Sequence, residues 1–123
     1  MKTGKITDSE FAVMTALWDA GRPAPMTKIL ERMAGSGWES STVKTFVARL
    51  VKKGAVTQEK REVYYYSPAV SREEYGRSAV TKLKDELYRG SLGLMVSSLV
   101  KDEKLTRQEI DELYAILKEA EAK

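Results

Sequence analysis

The sequence predicts a mainly helical chain: three short helices closed by a β-hairpin, then a second helical region. Three observations predict it. Apolar residues recur at three- and four-residue spacing over most of the chain. β-Branched and aromatic residues gather around a short polar tip near position 61. Hydroxyl residues followed three places later by Glu mark helix starts at Thr7, Ser71 and Thr106.

Thr7 and Glu10 form the first capping box, and Ile6 is placed to pack on Phe11. Phe11, Met14, Leu17 and Trp18 then share a helical face, which Gly21 and Pro23 terminate. A second, short helix fits residues 26–34, with Met26, Ile29, Leu30 and Met33 as its stripe, before a Gly35-Ser36-Gly37 turn. Ser40 is placed to cap a third helix that runs through Lys53 and ends at Gly54. Its apolar stripe is Val43, Phe46, Val47 and Leu50, with Val51 at the edge. The opposite face carries Ser41, Thr42, Lys44, Thr45, Ala48, Arg49, Lys52 and Lys53, and no acid. Residues 55–59 and 63–66 read as a hairpin around Lys60-Arg61-Glu62, ended by Ser67-Pro68 because Pro cannot donate to a ladder. This is the order of a winged helix-turn-helix. In that arrangement the third helix enters the major groove of DNA and the hairpin touches the backbone or minor groove beside it.

Ser71 and Glu74 open a long helix to about Arg89, with Tyr75, Ala79, Val80, Leu83 and Leu87 on its apolar side. Gly90 and Ser91 interrupt it, and residues 92–100 form a short apolar helix. Thr106 and Glu109 open the last helix, striped by Ile110, Leu113, Tyr114 and Leu117. Fifty-three residues are too few to enclose that much apolar surface alone. The expected division is therefore a DNA-binding domain over 1–70 and a helical dimerisation region over 71–123. Leu83, Leu87, Leu92, Met95, Leu99, Ile110, Leu113 and Leu117 are the candidates for pairing with a second copy. The alternative is that these helices fold back on the first domain in a monomer.

Composition excludes much else. With no Cys and no His, disulfides, thiolate or imidazole metal sites and His-dependent triads are ruled out. Asp8, Glu10, Glu73 and Glu74 occupy cap positions, and no Gly-rich phosphate loop is present, so neither catalysis nor a cofactor is expected. The apolar stretch 92–100 is nine residues long, against about twenty for a bilayer span. The residues from Met1 to Lys5 carry no apolar signal segment, so a cytoplasmic location is expected.

Charge separates the two regions. Residues 1–70 hold 11 Lys/Arg against 7 Asp/Glu, whereas 71–123 hold 10 against 11. Six bases and one acid fall within 40–61, either a solvated face or the footprint of a polyanion. The third helix decides for the polyanion, because an ordinary solvent face mixes signs through i,i+4 pairs. Lys44, Arg49, Lys52 and Lys53 are candidates for phosphates or guanine edges, Arg49 with a two-pronged donor. Ser41, Thr42 and Thr45 are short enough to let the helix sit deep. Thr27 and Lys28 are placed to hold a neighbouring phosphate at the start of the second helix. Lys60 and Arg61 are the wing candidates. At least one of Tyr64 and Tyr66 is expected to pack on the sheet, and Trp18 and Trp38 to serve the core. A winged helix that docks a protein and not DNA is the competing reading.

The segment from Trp38 to Gly54, with Thr42-Val43-Lys44-Thr45 and Arg49-Leu50-Val51-Lys52-Lys53-Gly54, resembles the recognition helix of the penicillinase-repressor family (BlaI/MecI, with CopY as relatives). Residues 6–14 with Leu17-Trp18 resemble that family's first helix, and Arg61 with Tyr64-Tyr65-Tyr66-Ser67-Pro68 its wing. A weaker likeness continues through residues 103–113. The resemblance implies a homodimeric repressor on a palindromic operator in double-stranded DNA. In the β-lactam branch it also implies a membrane sensor-transducer protease and cleavage in the C-terminal region. Aligned on Lys101-Asp102-Glu103-Lys104-Leu105, the corresponding bond is Ser98–Leu99, where family examples carry Asn-Phe and this chain does not. The cysteine motif of the CopY branch is absent, which excludes copper sensing by that route.

Overall fold

A computed structural model describes residues 5–102 and 104–122. Residues 1–4, part of the stretch read for a signal segment, and Glu103, within the stretch that aligned the Ser98–Leu99 bond, lie outside them. The elements run α1 (Asp8–Ala20), β1 (Ala24–Pro25), α2 (Met26–Arg32), α3 (Ser40–Lys53), β2 (Val56–Lys60), β3 (Tyr64–Pro68), α4 (Arg72–Leu87), α5 (Leu92–Asp102) and α6 (Arg107–Glu121). The described residues fall into two compact units, one up to Gly76 and one from Arg77.

In the first unit the core forms where the apolar faces of α1 and α3 meet α2 and the sheet. Val13, Met14, Leu17, Ile29, Val43, Val47, Leu50, Ala55 and Val56 are all essentially inaccessible to solvent. Phe11 departs from the expected stripe and is 41% exposed. It instead joins two other rings, with centroids 5.8 Å from Trp18 and 5.6 Å from Tyr75. Trp18 lies at the core's edge, its indole N–H donating to the Val70 carbonyl at 2.9 Å. Tyr75 and the Arg72–Asp19 ion pair (2.5 Å) tie the first turn of α4 to this unit. The division therefore falls after Gly76, inside α4 and past the boundary read at 70.

The capping box of α1 is present as read. At α3 the cap is Glu39, not Ser40: Glu39 has extended backbone angles, and its carbonyl already accepts the first helical bond, from Val43, at 3.0 Å. Gly54 ends α3 in the left-handed region (φ 81°), its N–H reaching the carbonyls of Leu50 and Val51. A Cβ at Gly54 would meet no atom within 4 Å, so conformation alone decides that substitution. Left-handed backbone costs an L-residue about 1–2 kcal/mol, partly offset by a less mobile unfolded chain. Gly54→Ala is expected to lower stability by about 1 kcal/mol, read from the urea midpoint at unchanged slope.

The sheet is antiparallel in the order β1-β3-β2. Val56 pairs with Pro68 and Lys60 with Tyr64 along the hairpin, while Ala24 and Pro25 pair with Tyr66 and Tyr65 on the other edge. Three features differ from the sequence reading. Lys60 belongs to β2, paired with Tyr64, so the tip is residues 61–63 and not 60–62. β1 leaves no signal in the sequence, because a strand of two residues, Ala24 and Pro25, shows no periodicity. β3 also continues through Ser67 to Pro68, which is tolerated because Pro68 is its last residue.

In the second unit, α4 ends at Leu87, with Arg89 (φ 53°) and Gly90 (φ 76°) both left-handed. The box at Thr106 is present with both of its hydrogen bonds. Among this unit's described residues Met95 alone is buried. Leu83, Leu87, Leu92, Leu94, Leu99, Leu113, Ile116 and Leu117 are each 42–68% exposed. Ser98 lies within α5 and its hydroxyl accepts from that of Tyr88 at 3.3 Å.

Candidate nucleic-acid interface

The burial of Val43, Phe46, Val47 and Leu50 fixes which way α3 faces. Ser41, Lys44, Thr45, Ala48, Arg49 and Lys52 are exposed on its outer side, and Thr42 is half-buried at the rim. Among the described residues, no carboxylate lies within ion-pair distance of Lys44, Arg49 or Lys52. Arg49 therefore neutralises no neighbouring acid among the described residues. The hydroxyl of Thr45 donates to the Ser41 carbonyl at 3.0 Å. Its proton is occupied within the helix, which leaves the methyl group and an oxygen lone pair to face outward.

Lys53 requires a correction. Its ammonium pairs with the carboxylate of Glu10 and also donates to the Lys5 carbonyl at 2.6 Å. Glu10 is only 1% exposed, so the lysine is drawn inward to neutralise a buried acid and is not part of the outward ridge. Burial alone would raise the pKa of Glu10. The hydrogen bonds from Lys53 and from Thr7, together with the lysine charge, outweigh it and hold the carboxyl below its ordinary value near 4.5. A carboxyl so lowered in the folded state stabilises the fold fully above that ordinary value, and the contribution is lost as pH falls through the lower, folded one. In Glu10→Gln the acid limb of the stability–pH curve is expected to flatten as pH falls below the ordinary carboxyl value near 4.5, as followed by urea unfolding.

The wing carries Lys60 and Arg61, both exposed. The guanidinium of Arg61 sits 4.5 Å from the centre of the Tyr65 ring and 2.5 Å from Glu59, and Lys60 lies 5.8 Å from the Tyr64 ring. Tyr66 packs against the core while Tyr64 is 44% exposed, so Tyr66 is the packing tyrosine. Trp38 meets Phe46 edge-on at 5.3 Å and is 38% exposed, a lid on the core more than a member of it. Thr27 and Lys28 are exposed at the start of α2, with Lys28 3.6 Å from Glu31. That pair is solvent-exposed and weak, so it leaves Lys28 available.

Two further cations escaped the sequence reading. Arg22 and Arg32 line a cleft of about 520 Å³ together with Lys28, Glu31 and Tyr65. They lie outside the dense run at 40–61, and only the pairing of β1 with β3 brings them beside the wing.

The penicillinase repressor family profile matches residues 6–119. The penicillinase repressor of Bacillus licheniformis is 32% identical over 119 residues, covering 96% of this chain and 93% of that one. The methicillin resistance regulatory protein MecI of Staphylococcus aureus (strain N315) is 27% identical over 117 residues, 94% of this chain and 95% of its own. Among solved structures, the monomeric form of Bacillus licheniformis BlaI in complex with the blaP half-operator is 29% identical. It covers 60% of this chain and 92% of its own, with a TM-score of 0.53. The winged-helix expectation is thus matched in fold as well as in sequence. The chain belongs to the penicillinase repressor family and is a DNA-binding transcription regulator, not an enzyme.

Proposed function

We infer that this chain represses transcription in the cytoplasm as a homodimer, each copy laying α3 in the major groove of one half of a palindromic operator. The observation that carries this reading is the outer face of α3, where Lys44, Arg49 and Lys52 stand exposed without a described acid in reach. Two-fold symmetry of the protein then places the half-sites a whole number of helical turns apart, roughly 34–36 Å each. Ser41, Thr42 and Thr45 line the approach, while Lys28, Lys60 and Arg61 meet phosphates on either side. Pairing through Leu83, Leu87, Leu92, Leu99, Leu113 and Leu117 is supported by their exposure, whereas Met95 is buried within the monomer and Ile110 half-buried. The family resemblance adds release by a membrane sensor-transducer protease. Cleavage at Ser98–Leu99 would require α5 to unwind, because that bond lies inside the helix.

A gel shift against a palindromic duplex from the chain's own promoter region, beside random DNA of equal length, tests the reading. Arg49→Ala is expected to cost about 1–3 kcal/mol on the palindrome and to relax discrimination. Equal loss on both duplexes would make Arg49 a phosphate anchor. An asymmetric footprint covering one half-site would count against the dimer.

A further inference from the structure

We propose that the cleft between β1, α2 and β3 is a second phosphate-binding surface, in which Arg22 and Arg32 grip the DNA sugar–phosphate backbone beside the wing. The proposal rests on the DNA reading above and extends it to residues outside α3 and the hairpin tip. Three cations, Arg22, Lys28 and Arg32, line the cleft against a single acid, Glu31. That acid already faces Lys28 at 3.6 Å, and among the described residues no carboxylate lies within ion-pair distance of Arg22 or Arg32. Both arginines are exposed, so neither serves the core. Tyr65 joins the cleft to the wing, since it lines the one and carries Arg61 of the other 4.5 Å from its ring. The cations of the cleft and of the wing tip thus meet around a single tyrosine, Lys28 facing Glu31 and Arg61 facing Glu59 while Arg22 and Arg32 stay unpaired among the described residues. A run of phosphates matches this arrangement, because the charges are spread over a span and do not converge on one point. Guanidinium groups suit phosphate oxygens in paired, planar geometry.

The test compares the wild type with Arg22→Gln/Arg32→Gln and Arg22→Lys/Arg32→Lys, on a promoter-derived palindromic duplex and on a random one. Each phosphate contact contributes about 0.9 to the log–log salt slope, so the glutamine pair should lower it by about 1.8 per bound protomer on both duplexes. Discrimination between the duplexes should stay as in the wild type, and the lysine pair should keep most of the slope because it keeps the charge. An unaltered slope in the glutamine variant, with wild-type binding intact, would overturn the cleft proposal alone. Loss of discrimination would overturn it too, by making the arginines readers of bases. A wild type that binds neither duplex would end the underlying DNA reading and this proposal with it.

Discussion

Replacing Leu113 and Leu117 with Asp is expected to leave a folded monomer that binds the palindrome no better than a single half-site. Both side chains lie on α6, four residues apart and thus on one face, and are 42% and 63% exposed. Soluble monomers seldom leave contiguous apolar patches of this kind uncovered. Fully burying a leucine side chain contributes about 1.5–3 kcal/mol; these two are about half exposed and occur in both copies, so losing all four weakens association by about 3–6 kcal/mol. That is roughly a 100- to 20,000-fold rise in the dimer dissociation constant, before the cost of burying the carboxylates, two per copy, is added. Sedimentation equilibrium at micromolar concentration measures it, and circular dichroism checks that the helices persist. A wild type that sediments as a monomer, or a variant that remains dimeric, would remove the paired model.

The second large effect concerns salt. On the proposed reading each of two copies brings Lys28, Lys44, Arg49, Lys52, Lys60 and Arg61 to the duplex, and none of these is deeply buried. If about 6–10 phosphates are neutralised in the complex, affinity falls by about 10³–10⁵ between 50 and 200 mM salt. Fluorescence anisotropy with a labelled duplex gives the slope directly. A slope near zero would leave base contacts without electrostatic support and contradict the role given to this face.

Much of this architecture was legible because its signals are local. The boxes at Thr7, Ser71 and Thr106 and the stripe of α3 each lie within one or two helical turns. What escaped depends on residues far apart in sequence. Glu10 and Lys53 are 43 positions apart, and alone the first reads as a helix cap and the second as a phosphate contact. β1 has only two residues and exists because the edge of β3 is there to receive it. Arg22 and Arg32 follow from the same pairing. The direction of α3 was readable from its apolar side, but the withdrawal of Lys53 from its far end was not.

β3 is the middle strand, clasped by β1 on one edge and β2 on the other, and the Ala69 N–H closes the root of the hairpin on the Ala55 carbonyl at 2.8 Å. Residues 61–63 beyond the last strand pair contribute nothing to that root. The tip is therefore an exchangeable turn on a fixed stem, held to the strands by the Arg61 side chain on Glu59 and Tyr65. Loops of other length or charge grafted at 61–63 would change what the hairpin grips while α3 kept its own specificity, so the two halves of recognition can diverge independently.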